Sequence, residues 1–219
     1  MKSWPKLEGA LADYVDANWL RESPLKRRLR EETAKLPQAG MQISAHQGQQ
    51  IAWLARAVGA RRAVEVGTFT GYSSLCLAEA LPADGKLWCC DVSEQWTGIA
   101  RRYWKEAGVA SRIELTIAPA LKTLDGLLAQ GLAGQLDLAF IDANKDGYDA
   151  YYERCLRLVR PRGIVLIDNV LWGGSVANLA DTDADTQAIR ALNAKLEADE
   201  RVDLALSAVG DGMTCVLKR

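Results

Sequence analysis

From Arg62 onward the chain alternates between short apolar runs and segments of helical periodicity. Strands are expected at Ala63–Val66, Lys86–Asp91, Ile113–Ala118, Leu136–Asp142 and Gly163–Asn169. Helices are expected between them at Tyr72–Leu81, Gln95–Ala107, Ala120–Leu128 and Tyr148–Val159. Such a rotation demands crossover connections, which are right-handed and build a parallel sheet with helices on both faces. After a further helix, Ala184–Ala198, the rhythm changes. Val202–Ala208 and Met213–Lys218 are joined by Val-Gly-Asp-Gly and read as a hairpin, so the sheet should end with one antiparallel strand. The fold class is therefore α/β, Rossmann-like, with a mostly parallel sheet.

Leu7, Leu11, Tyr14 and Val15 recur at helical spacing, as do Leu25, Leu29 and Leu36. The segment 1–40 is thus expected as a helical cap that covers the ligand end of the sheet or forms a subunit contact, ahead of a core at 41–219. A third helix should begin after Ser44, where Ser44 and Gln47 make a capping-box pattern. Ile51, Leu54, Ala55 and Val58 form its buried stripe, and Gly59 stops it. Trp53, Trp88 and Trp104 lie on apolar faces and are expected in the core. With 219 residues, 49% of them hydrophobic, the chain suffices for a single domain, 1–219, with a substantial core.

Charge excludes several partners. Lys and Arg number 27 against 28 Asp and Glu, which offers no basic surplus for a nucleic acid. The basic run Lys26–Arg30 is followed at once by Glu31 and Glu32 and reads as the solvated face of a helix. The cysteines (Cys76, Cys89, Cys90, Cys155 and Cys215) show no Cys-x-x-Cys spacing, and three fall in expected strands as small buried hydrophobes. A reducing compartment fits, and the expected location is cytoplasmic. Glu8, Asp13 and Asp16 interrupt the N-terminal apolar pattern, which argues against a signal peptide. No apolar run approaches the roughly 18 residues a membrane span needs.

Function should lie beyond the carboxyl ends of the strands, where ligands bind in open parallel sheets. The first strand runs into Gly67, with Glu65 just inside it and Gly71 four positions on. A strand, a glycine turn and a helix start place backbone N–H groups beside a ligand. Gly-x-x-x-Gly departs from the Gly-x-Gly-x-x-Gly of nicotinamide dinucleotide sites, so a nucleoside-type cofactor other than NAD is indicated. Asp91 closes the second strand 20 residues past Gly71. It could accept hydrogen bonds from ribose hydroxyls, or simply turn the chain.

Asp142 ends the fourth strand and Asp168-Asn169 the fifth. Neighbouring strands would bring these oxygens together, suiting Mg²⁺, or else Ca²⁺ or Mn²⁺, rather than zinc. The alternative is two independent strand-end acids, each capping a helix. Lys145 stands at the same rim, as a base beside a cation or as a solvated surface lysine. Trp172 could wall a planar aromatic substrate and Trp96 could lie against adenine. His46, the single histidine, cannot by itself make a metal cluster or a triad.

Four segments carry a resemblance. Ala63–Ser73 (Ala-Val-Glu-Val-Gly-Thr-Phe-Thr-Gly-Tyr-Ser), Phe140–Lys145 (Phe-Ile-Asp-Ala-Asn-Lys), Leu166–Trp172 (Leu-Ile-Asp-Asn-Val-Leu-Trp) and Val209–Thr214 (Val-Gly-Asp-Gly-Met-Thr) resemble the metal-dependent O-methyltransferases of the caffeoyl-CoA and catechol type. The likeness runs in order from Met41 to the C-terminus. It implies a class I methyltransferase fold with seven strands and a catalytic core at 41–219. It also implies S-adenosylmethionine held by Ile43, Glu65, Gly67, Thr68, Ser73, Asp91, Ala120 and Asp142. A divalent metal would sit on Asp142, Asp168 and Asn169, with Lys145 as base. Met41, Lys145 and Trp172 would border an aromatic vicinal diol, and the family's habit implies a homodimer. Asn144 and His46 each replace an acid usual in similar sequences. Rival readings are a nicotinamide-dependent oxidoreductase, which an NADH titration would reveal, and a non-catalytic S-adenosylmethionine-binding protein.

Overall fold

The computed structural model describes residues 7–219, and the first six residues of the expected 1–40 cap lie outside that range. Three helices, α1 (Ala10–Trp19), α2 (Pro24–Thr33) and α3 (Ala45–Ala57), come before the sheet. The alternating part follows as β1 (Arg62–Val66), α4 (Tyr72–Ala80), β2 (Lys86–Asp91), α5 (Glu94–Glu106), β3 (Ile113–Ile117), α6 (Ala120–Ala129), β4 (Leu136–Ile141), α7 (Tyr148–Leu158) and β5 (Val159–Ile167). It closes with α8 (Ala184–Glu197), β6 (Val202–Ser207) and β7 (Met213–Lys218). The strands form one seven-stranded sheet in the order β3-β2-β1-β4-β5-β7-β6. Strands β1 to β5 pair in parallel, and β7 runs antiparallel to both β5 and β6.

Because successive residues of a strand point to opposite faces, a sheet covered on both sides needs continuous apolar runs. In β4, Leu138 and Phe140 join the layer formed with α3, α4 and α5, while Ala139 and Ile141 face α6 and α7. All four are fully buried. A large side chain buried this way contributes roughly 1.5–3 kcal/mol. The order of pairing reverses at β1, which has β2 on one side and β4 on the other. A crevice opens at such a switch point, and it faces the ends that carry Gly67 and Asp142.

The basic run lies on α2, whose start is capped by Ser23 with Pro24 in the first turn. Lys26 pairs with Glu79 at 2.6 Å, Arg30 with Glu22 at 2.9 Å, and Arg28 with Glu106, so this face is occupied by carboxylates. Leu29, in the middle of the run, is fully buried.

Two expectations need correction. Strand β5 starts at Val159 rather than Gly163, because Val159 pairs with Leu136 across a register shift. The Arg160-Pro161-Arg162 segment, half-buried at Arg160 and exposed at Pro161 and Arg162, hides that pairing in the sequence. Trp53 is not in the core: it is 64% exposed, on the side of α3 opposite Ile51 and Ala55. Trp88 and Trp104 are buried as expected. All the cysteines are free thiols, four of them buried. Among the described residues no helix is long and apolar enough to cross a membrane.

Candidate active site

Strand β1 runs into Gly67, which adopts a φ of +93° that L side chains rarely take. Its N–H donates to the Cys90 carbonyl at 3.0 Å, continuing the sheet by one rung. Gly71, also left-handed, caps α4, and its bare Cα lets that helix lie close to Ala100 of α5. Between the glycines, the N–H groups of Thr68 and Phe69 donate to one oxygen of Asp91 at 3.0 and 2.8 Å. The other oxygen accepts from Ser93 N at 2.8 Å. Asp91 therefore does turn the chain, and it also braces the glycine corner. A carboxylate oxygen has lone pairs to spare for a ribose hydroxyl as well.

A cavity of about 910 Å³ opens beyond these strand ends. Met41, Ile43, Gly67, Thr68, Ser73, Asp91, Ala120, Asp142, Lys145, Asp168, Asn169 and Trp172 all line it. Of the residues the resemblance assigns to the site, Glu65 alone stands back from the wall. Trp96 lines the mouth, its ring edge-on to Phe69 at 5.1 Å. His46 is not in the wall; its Nε2 meets Asp16 Oδ1 at 2.6 Å, tying α3 to α1.

At the tips of β4 and β5 the polar groups converge. Lys145 is 7% exposed, so the reading as a solvated surface lysine fails. Its Nζ donates to Asp142 Oδ1 at 3.2 Å, Asn169 Oδ1 at 2.6 Å and the Tyr148 hydroxyl at 2.6 Å. The ammonium lies 5.4 Å from the Trp172 ring centroid, within cation–π range. Asp168 is 2% exposed and accepts the Asn169 N–H at 2.7 Å. Burial, and then the charge of Asp142, push its carboxyl up to about 7. Burial likewise raises Asp142, against the pull of Lys145.

Glu65 is completely buried, and neither carboxyl oxygen has a hydrogen-bond partner. Burial pushes its carboxyl up to about 8, with Ser73, Thr68 and Cys89 near enough to offset this only in part. With an unfolded value near 4.5, this group leaves stability untouched in acid and lowers it as pH rises toward 8. Glu65→Gln should therefore raise the melting temperature of the ligand-free protein at pH 8 and change it little at pH 4.5. The difference should approach roughly 4 kcal/mol, at 1.36 kcal/mol per unit. Melts of both proteins across this range check the sign, and equal shifts at both ends would refute it.

Several lining residues went unnoticed in the sequence. Gln47, expected to complete a cap, gives its backbone N–H to Ser44 Oγ at 3.2 Å, but its side chain is buried in the cavity wall. Tyr148, which does not line the cavity but accepts from Lys145 Nζ, follows that lysine by three residues, a spacing that could have revealed it. Gly210 and Asp211 enter from the β6–β7 hairpin, inside the Val209–Thr214 segment that carries the resemblance, though no site role was expected of them; Asp185 enters from the start of α8, where nothing local signals its place.

Comparison with known proteins agrees with this geometry. A family model described as O-methyltransferase matches residues 16–219. The catechol O-methyltransferase domain-containing protein 1 of Mus musculus is 40% identical over 214 residues, covering 98% of this chain and 82% of its own. Caffeoyl-CoA O-methyltransferase 2 of Zea mays is 42% identical over 202 residues, 89% of this chain and 76% of its own. Among solved structures, the O-methyltransferase TomG of Streptomyces achromogenes, in complex with SAM, superposes with a TM-score of 0.85 at 34% identity over 94% of each chain. The chain belongs to the O-methyltransferase family, of the caffeoyl-CoA and catechol type, and is an S-adenosylmethionine-dependent O-methyltransferase.

Proposed function

We propose that this chain methylates a phenolic hydroxyl of a small aromatic vicinal diol, a catechol or caffeoyl-like molecule, using a divalent cation at Asp142, Asp168 and Asn169. The observation that carries the reading is the buried ammonium of Lys145, seated between Asp142 and Asn169 in the cavity that holds the glycine corner.

The residues fit a hard cation. A positive group already stands between two of the three oxygen donors, and the mutual repulsion of Asp142 and Asp168 is what a cation relieves. Two carboxylates and one amide are too few for a closed cage, which leaves positions for water and substrate oxygens. Among the described residues no three His, Cys, Asp or Glu side chains gather as a metal cluster, and the oxygen-only set favours Mg²⁺, with Ca²⁺ or Mn²⁺ as substitutes. When bound, such an ion supplies a charge that acidifies a phenol.

S-adenosylmethionine brings a methyl group already activated by its sulfonium, so the protein supplies alignment and removes one proton. Asp91 and the Gly67–Gly71 corner would hold the nucleoside end, with Ile43 beside the methionine portion and Glu65 and Ser73 among the residues that would hold the cofactor. Trp172 and Met41 bound the acceptor ring. Lys145 Nζ, in its neutral form, takes the phenol proton as the oxygen–methyl bond forms and the sulfur–methyl bond breaks. Holding both reactants in a near-attack pose can contribute roughly 7–11 kcal/mol.

A methyl-transfer screen over catechol, caffeate and related diphenols, with Mg²⁺ and with EDTA, tests this. Turnover of vicinal diphenols with Mg²⁺ is expected, falling at least about a hundredfold, or some 2.7 kcal/mol, in EDTA. Full activity in EDTA would remove the cation from the reading.

A further inference from the structure

The segment between β5 and α8 forms one wall of the cavity, and its backbone is unusual. Asn169 and Trp172 have φ values of +58° and +48°, and Gly173 and Gly174 are left-handed too. A chain that turns through such residues leaves carbonyl groups outside any ladder, and buried ones need donors. Here the carbonyls converge on Arg190, from the second turn of α8. Its guanidinium donates to Ser175 O at 2.8 Å, Val176 O at 3.0 Å, Asp181 O at 2.7 Å and also to Asn178 O. Arginine alone offers five donors in a fixed fork, so no other side chain could hold four carbonyls at once. Asn193, one turn further along α8, adds a bond to Val170 O at 2.9 Å. From the hairpin side, Asp211 accepts the Gly173 N–H at 2.7 Å.

We infer that Arg190 is a positioning residue for the methyl acceptor: it fixes the carbonyls of the segment after Trp172 and so holds the Trp172 ring against Lys145. Arg190 does not line the cavity, and the cofactor corner lies on other strands. Its influence should therefore fall on the acceptor and spare S-adenosylmethionine. The inference rests on the proposed acceptor site in one respect, that Trp172 bounds the aromatic ring.

The test uses Arg190→Ala, Arg190→Lys, Trp172→Ala and the double variant Arg190→Ala with Trp172→Ala, with catechol as acceptor. Arg190→Ala should raise the acceptor KM about tenfold and leave the dissociation constant of S-adenosylmethionine within about twofold. Arg190→Lys, which can reach one or two of the carbonyls, should recover part of the loss. In the Trp172→Ala background, Arg190→Ala should add less than about twofold, because both changes disable the same wall. Hydrogen exchange, with no acceptor present, should show faster exchange of the amides in 170–181 in Arg190→Ala. Independent effects that multiply in the double variant would overturn the inference. So would a parallel loss of cofactor affinity, or failure of both single Arg190 variants to fold. Should the wild-type protein methylate no diphenol, the proposed function falls. The exchange measurement then still decides on Arg190, and unchanged exchange in 170–181 would overturn its role.

Discussion

Replacing Asp168 by asparagine should lower kcat/KM for a diphenol by at least about a thousandfold, close to 4 kcal/mol, while S-adenosylmethionine binds within about threefold of its normal affinity. The separation follows from where the parts sit. Asp168 follows β5, next to Asp142 and Asn169, whereas the corner proposed for the nucleoside is built by β1 and β2 with Asp91 as its brace. Asparagine keeps the shape and still offers an oxygen to the Asn169 N–H, so the backbone there has no reason to move. What it removes is one of the two negative charges that would hold the proposed cation. Stability should move the other way. The Asp168 carboxyl is held up to about 7, above its ordinary 3.8, so its ionisation works against folding as pH rises through that interval. The uncharged variant should melt at or above the wild-type temperature at pH 8 and differ little near pH 4. Lost turnover in a protein that melts no lower cannot be blamed on unfolding. Retained turnover would detach Asp168 from the chemistry, and a matching loss of cofactor affinity would put it in the cofactor site instead.

The sheet could be read from the sequence because a parallel strand buried on both faces must be apolar at successive positions, as Leu138 to Ile141 are. The site's tips could be read because glycines and acids that interrupt such runs have few other reasons to stand at strand ends. Legibility failed where contacts are distant in sequence or where a local rule had two outcomes. Gln47 fitted a capping box, and half of it exists, yet its side chain is turned toward Gly210, where an added Cβ would come within 2.8 Å of Oε1. Trp53 looked like a core residue because it neighbours Ile51 and Ala52, but at 100° per residue it points away from both the stripe and the sheet. Arg190 reads as an ordinary helix-surface cation. Its task depends on four carbonyls that approach only after Trp172, Gly173 and Gly174 have turned the chain.

Gly67→Ala should cost both cofactor affinity and stability, because the two halves of the site meet at this residue. An alanine Cβ would lie 1.8 Å from the Asp142 carbonyl oxygen and 2.7 Å from its carbon, on a backbone at φ +93°. The obstacle cannot swing aside as a side chain would: it is the main chain of β4's end, fixed by Asp142 N–H donating to Val66 O at 2.8 Å. Either that rung opens or the corner from Gly67 to Gly71 shifts, and in both cases the N–H groups of Thr68 and Phe69 lose their alignment with Asp91. An S-adenosylmethionine affinity lower by at least about a hundredfold is expected, some 2.7 kcal/mol. A stability loss of roughly 2–4 kcal/mol should accompany it, in the range of backbone strain compounded by overpacking. Gly126→Ala is the control, since Gly126 lies within α6 with open space where its Cβ would go. That change should stabilise the protein by up to about 1 kcal/mol and leave cofactor binding alone. Calorimetric titration and thermal melts of both variants decide the matter. Normal S-adenosylmethionine binding by Gly67→Ala would mean that the turn after β1 is not the cofactor's cradle, and the assignment of the nucleoside end to Asp91 would fall with it.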